Sequence, residues 1–271
     1  MRLHRVLSAS CLSLSVLLLS APAFAAMQAK PVEWTLDDTT FSGVLVYDDA
    51  NAIKRPGVVM VPNWMGVNEN AVATAKKIAG HEHVVLVADV YGKGVRPKDA
   101  GEAKAEVGRA YGDGGTTLRR RVAQAVLALK AQGGDVPLDA GRIAAVGFCF
   151  GGSAVLELAR TGAPLAGVVS FHGGLDTHLP TEANKVAAPV LVLNGADDTS
   201  VTREDVAAFG KEMDAAGADW QFVDFGGARH CFAEPENAGN DPAGNCVYHE
   251  RSAQRAFRVM RGFLGERFAA Q

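Results

Sequence analysis

The sequence has little of what a nucleic-acid or membrane-surface protein needs. Its 271 residues carry 27 Lys and Arg against 30 Asp and Glu, a formal net charge of −3, so no basic excess is available for phosphates or anionic headgroups. No segment repeats, which excludes solenoids and propellers, and no low-complexity linker divides the chain. The 7 histidines show no metal-ligand spacing and no phosphate-cradling glycine loop is present, so no metal and no organic cofactor is expected. Long apolar runs are also missing, with one exception at the amino terminus.

That exception spans Val6 to Leu19, behind Arg2 and Arg5 and ahead of the small-x-small triplet Ala23-Phe24-Ala25. It is too short to cross a bilayer comfortably and has no stop-transfer charge cluster, so residues 1–25 read as a cleaved secretory signal peptide. The expectation is a secreted or periplasmic protein with no stable membrane association after cleavage. Processing removes two arginines and no acids, leaving 25 basic against 30 acidic side chains on 246 residues. That length suits one large α/β domain over residues 26–271 with a full core and a small-molecule substrate.

The chain is organised around Val146-Gly147-Phe148-Cys149-Phe150-Gly151-Gly152-Ser153-Ala154. Arg142 to Val146 is an apolar run of the kind found in a strand covered on both faces, and Ser153 to Arg160 continues with helix formers. Between them lies a G-x-nucleophile-x-G elbow with a thiol in place of the usual hydroxyl. The glycines have a steric reason, since the strand and helix pass too closely there to admit a Cβ. Cys149 is the candidate nucleophile; the bland alternative is a buried structural cysteine.

A nucleophile needs a base and an orienting acid, and both follow in order. Val190 to Asn194 reads as a buried strand with Gly195-Ala196-Asp197-Asp198 at its carboxyl end, where α/β sheets place functional groups. Farther on, His230 sits in the Gly-rich loop Gly226 to Phe232, directly after another strand.

The elbow, the G-A-D-D turn, the R-H-C-F loop and the upstream V-P-N-W-M-G-V-N stretch together resemble the dienelactone hydrolase family of α/β-hydrolases, from about Val44 to Phe268. The resemblance implies a mostly parallel central sheet flanked by helices on both faces, and an ester or lactone hydrolase. Position by position it makes Cys149 the nucleophile, Asp198 the acid (with Asp197 the fallback) and His230 the base. It also implies an oxyanion site formed by the backbone N–H groups of Trp64 and Phe150, each such donor worth about 3 kcal/mol in the transition state. Two positions depart from the family. A glutamate thought to take the resting thiol's proton is here Asn63, and two substrate-binding arginines match Lys93 and Glu234. The charge reversal at Glu234 argues against a dienelactone carboxylate as substrate.

Further expectations follow from local patterning. Pro31 to Leu36 and Phe41 to Tyr47 alternate as an antiparallel hairpin at a sheet edge, and Asn68 caps a helix with an apolar stripe of Ala71, Ala75, Ile78 and Ala79. The loop Val90 to Pro97 leaves the same carboxyl edge as Asn63. Asn63, Trp64, Tyr91 and Lys93 are therefore candidate substrate-binding residues, with Arg96 beside them and Lys93 favouring an anionic ligand; the bland alternative is that Lys93 and Arg96 are solvated loop charges. His172 is either a pocket residue or a hydrogen-bonded structural one. Arg119-Arg120-Arg121 reads as a solvated helix face.

Cys149, Cys231 and Cys246 remain after processing. Export favours a Cys231–Cys246 disulfide that restricts the loop beside His230 and leaves Cys149 as the single free thiol. The expected chemistry is acyl transfer through a thioester. A redox thiol and a non-catalytic binding protein on the same fold are the alternatives.

Overall fold

In a computed structural model, described here for residues 27–177, 179 and 185–269, eight strands form a single sheet in the order β1-β2-β4-β3-β5-β6-β7-β8. The expected signal peptide lies outside these residues. β1 (Met27–Leu36) and β2 (Thr39–Asp48) make the anticipated hairpin, and β2 also pairs antiparallel with β4 (Val84–Val87). From β4 through β3 (Arg55–Val61), β5 (Leu138–Phe148), β6 (Val168–Phe171), β7 (Val190–Gly195) and β8 (Trp220–Phe225) every pairing is parallel.

Parallel strands need crossovers, and the helices that provide them cover both faces. Helices α3 (Thr116–Lys130), α4 (Phe150–Ala159) and α5 (Arg203–Ala215), with the end of α2 (Ala100–Ala110), pack on one side through Leu118, Val122, Val155 and Phe209. α1 (Glu69–Ala79) and α6 (Glu250–Ala269) pack on the other through Ile78, Phe257 and Met260. Val58, Val59 and Val61 between them are fully buried, each stabilising the fold by roughly 1.5–3 kcal/mol. Asn68 caps α1 by accepting from the Ala71 N–H at 2.9 Å, and its stripe is buried as expected.

Two local expectations are corrected. β5 starts at Leu138 rather than Arg142, because Leu138 and Asp139 pair with Arg55 and Pro56 before a register shift at Pro56/Gly57. The Arg119–Arg121 run is a solvated face only at Arg120, which stays exposed with its partner Asp37. Arg119 pairs with buried Glu157 at 2.7 Å, Arg120 with Asp37 at 2.9 Å, and Arg121 donates to the Val90 carbonyl at 2.7 Å. The helix lies against its neighbours along that side, so the charges find partners within the fold.

Candidate active site

All the parallel strands run the same way, so the segments after β3, β5, β6, β7 and β8 converge at one sheet edge. At the end of β5 the chain reverses into α4 through Cys149, whose φ of 52° and ψ of −120° are strained for a residue with a side chain. The flanking glycines are required by close approach. A Cβ on Gly147 would lie 2.0 Å from the Gly151 carbonyl oxygen, and one on Gly151 would lie 2.1 Å from that of Val61. The turn lifts the only free thiol among the described residues off the sheet, partly exposed.

His230 reaches that thiol from the loop after β8. Its Nε2 lies 3.1 Å from Cys149 Sγ, and its Nδ1 lies 2.8 Å from Asp198 Oδ2. Asp198, rather than the fallback Asp197, is turned inward; it is 5% exposed, whereas Asp197 faces solvent. Its other oxygen accepts from the Ser200 N–H at 2.8 Å and from Asn245 Nδ2 at 3.0 Å. Burial raises the Asp198 carboxyl, but these bonds and the charge of His230 outweigh it and hold the group below its ordinary value. Burial likewise works against charge on His230. The hydrogen bonds and charges of Asp198 and Cys149 prevail and lift the imidazole to about 10.

The Cys231–Cys246 disulfide is present, its Cα atoms 4.9 Å apart. It brackets a loop whose ends both touch Asp198, His230 just before Cys231 and Asn245 just before Cys246. The Val247 N–H donates to the His230 carbonyl at 3.0 Å and ties the two ends together. The contribution of Asn245 has no sequence signal, because it depends on where the closed loop returns.

Sγ of Cys149 opens onto a cavity of ≈ 280 Å³ lined also by Trp64, Val107, Phe150 and, packed edge-on to Phe150, Tyr111, together with Ser153, Gly174 and Asp176. Trp64 is thus at the cavity, as expected. Neither its N–H nor that of Phe150 is donated to another group among the described residues. Tyr91 serves this wall from behind. Its ring stacks on Phe150 at 5.6 Å and its hydroxyl donates to the Trp64 carbonyl at 3.0 Å, while desolvation raises its pKa.

Three other expectations are corrected. Lys93 turns away from the cavity and pairs with Glu33 at 2.8 Å, both largely solvated, because its loop packs along β1 and β2. Arg96 folds back on the same loop, donating to the Val95 and Ser42 carbonyls at 2.7 Å. Asn63 lines a separate cavity of ≈ 10 Å³, room for about one water, where its Nδ2 donates to buried Glu234. His172 is fully buried, and neither of its ring nitrogens finds a hydrogen-bond partner. Desolvation, then the nearby His230, keep it neutral, and its ring lies edge-on to His230 at 5.2 Å as a wall behind the imidazole. Tyr111, Ser153 and Asp176 were missed. Only Asp176 had a signal, its place in the loop after β6.

A largely parallel sheet, a strained cysteine elbow and a histidine–carboxylate pair on the following strands define an α/β-hydrolase-type enzyme fold. The chain belongs to the dienelactone hydrolase family of lactone and ester hydrolases, whose model matches residues 41–268. A solved structure named m3DLH is 35% identical, with a TM-score of 0.82 over 90% of this chain and 99% of that one. The dienelactone hydrolase-like promiscuous phosphotriesterase P91, from metagenomic libraries, is 36% identical, with a TM-score of 0.81 and the same coverage. The Caenorhabditis elegans protein K02A2.1 is 35% identical over 156 residues, 56% of this chain and 95% of that one.

Proposed function

We propose that the protein hydrolyses small esters or lactones through a thioester on Cys149, with His230 as proton carrier and Asp198 as its orienting partner. The observation that carries this reading is the unbroken contact from Cys149 Sγ to His230 to Asp198, at 3.1 and 2.8 Å. At rest His230 holds the proton that the sulfur has released. The sulfur attacks the acyl carbon, the carbonyl electrons move to oxygen, and the Trp64 and Phe150 N–H groups receive the oxyanion. Collapse breaks the C–O bond, and His230 protonates the leaving alkoxide.

Acylation then removes the negative sulfur that helps raise His230. The imidazole, neutral after protonating the leaving group, takes a proton from water, whose oxygen attacks the thioester. The acid leaves and the sulfur–imidazole pair is restored. A neutral phosphotriester, as the relative P91's name describes, would meet the same nucleophile.

The test is trapping. Wild-type and Cys149→Ala protein are incubated with short-chain esters, neutral and carboxylate-bearing lactones and a phosphotriester, then acid-quenched for mass spectrometry. An acyl adduct confined to Cys149 is expected. Turnover without any adduct in rapid-quench samples, or rapid sulfenic acid formation in place of hydrolysis, sinks the proposal.

We further propose that residues 1–25 direct export and that 26–271 act as one domain outside the cytoplasm. The Cys231–Cys246 bond supports this, since such bonds persist in oxidising compartments. Amino-terminal sequencing of protein from the extracellular or periplasmic fraction should begin at Ala26; full-length chain in the cytosol would reject it.

A further inference from the structure

Among the described residues, the cavity above Cys149 is lined by no lysine or arginine. The charged groups among those residues are His230, already engaged with Asp198, and the carboxylate of Asp176. Asp176 lies on the loop after β6, and buried Arg160 and half-buried Arg119 hold that loop by its backbone. Arg160 Nη2 donates to the Leu175 carbonyl at 2.6 Å, and Arg119 Nη2 to the Leu179 carbonyl at 3.3 Å. Neither cation is free to offset Asp176. Arg160 pairs with Glu157 and Glu212 at 3.0 and 2.8 Å, and Arg119 with Glu157 at 2.7 Å.

The Asp176 carboxylate itself has no hydrogen-bond or salt-bridge partner among the described residues. It is close to the reacting end of the cavity. Asp176 Oδ1 and Ser153 Oγ each lie 3.3 Å from the point where a Cβ on Gly174 would stand, and the Ser153 N–H donates to the Cys149 carbonyl at 3.1 Å. The aromatic rings of Trp64, Tyr111 and Phe150 share the same cavity. A carboxylate and aromatic rings lining one cavity are the chemistry that recognises an ammonium group.

We propose that this cavity selects esters or lactones bearing a positively charged amine or quaternary ammonium, with Asp176 as counter-charge and the aromatic wall as its cation-binding face. The inference rests on the hydrolase reading above and names its substrate class.

The experiment compares the acetate ester of choline with its uncharged isostere, 3,3-dimethylbutyl acetate, on wild-type and Asp176→Asn protein. A preference in kcat/KM of about 5-fold or more for the ammonium ester is expected, shrinking with added salt and falling toward unity in Asp176→Asn. Equal kcat/KM for the two esters, or a preference that Asp176→Asn leaves intact, overturns it. A second readout needs no turnover: protection of Cys149 from iodoacetamide by choline against 3,3-dimethylbutanol. Choline should protect at lower concentration, and Asp176→Asn should abolish the difference. Selective protection without acylation by either ester upholds the charge preference and rejects the hydrolase reading; acylation of Cys149 equally by both esters does the reverse.

Discussion

Asn63 Nδ2 donates to Glu234 Oε1 at 2.5 Å across 171 residues of sequence, joining the turn after β3 to the loop that carries His230. Asn63 also shapes its own turn. Its Oδ1 accepts from the Met65 N–H, and its carbonyl from the Gly66 N–H, both at 2.9 Å. Trp64 lies inside that turn, so one side-chain pair links the proposed oxyanion donor to the base's loop. Asn63 therefore contributes to the geometry of the turn.

Glu234 makes this link pH-dependent. Burial pushes its carboxyl up to about 7, against the opposing hydrogen bond from Asn63. A raised carboxyl contributes stability that is present below its unfolded value and lost as pH rises through about 7. Denaturant midpoints of wild type and Glu234→Gln at pH 5, 6, 7 and 8 should show the variant gaining relative to wild type, by up to about 3 kcal/mol. Parallel curves across that range would reject a buried, titrating Glu234.

The sulfur–imidazole contact predicts fast alkylation. Cys149 should react readily with iodoacetamide at pH 7 in wild type. In His230→Ala the sulfur loses the imidazole that accepts its proton, so the rate should fall by about 10-fold or more. Slow wild-type alkylation, or a rate unchanged by the substitution, would count against a charged pair at rest.

Asp198 holds His230 charged, so Asp198→Asn should lower the imidazole's titration from about 10 toward its ordinary range, read by NMR of the ring protons. Hydrolysis should drop by about 10²–10⁴-fold. The pair stabilises the folded state below about pH 6.5, and this contribution disappears as pH rises through about 10. A stability difference between wild type and Asp198→Asn that persists unchanged at pH 11 would contradict that assignment.

The disulfide loop delivers two contacts to Asp198. Cys246→Ser should reduce stability to urea by about 3 kcal/mol, the loop-entropy estimate for a sequence separation of 15. Asn245→Ala should leave the disulfide intact yet raise the Asp198 carboxyl and slow hydrolysis several-fold. A Cys246→Ser protein as stable as wild type would show that the loop is held by its other contacts.

Much of this was legible before any coordinates. Cys149, Asp198 and His230 stood out because each follows a β-strand and falls in family order, and the elbow glycines announced a close approach that Gly147 and Gly151 make. The expectation for Lys93 failed for the opposite reason. A loop's exit from the correct sheet edge does not determine which way its side chains turn, and β1 offered Glu33 as a partner. The solvated reading of Arg119 failed similarly, since a helix pattern cannot display buried Glu157 on a neighbouring helix.

By itself the sequence determined the order of strands and helices and the candidate nucleophile, because hydrophobic period and glycine sterics are local properties. Only the tertiary structure decided which charges share the cavity. Asn63 meets Glu234, Asn245 meets Asp198, and Asp176 rather than Lys93 faces the thiol's cavity. Those pairings join residues far apart in the chain, and their partners are chosen by how the loops pack over the sheet edge.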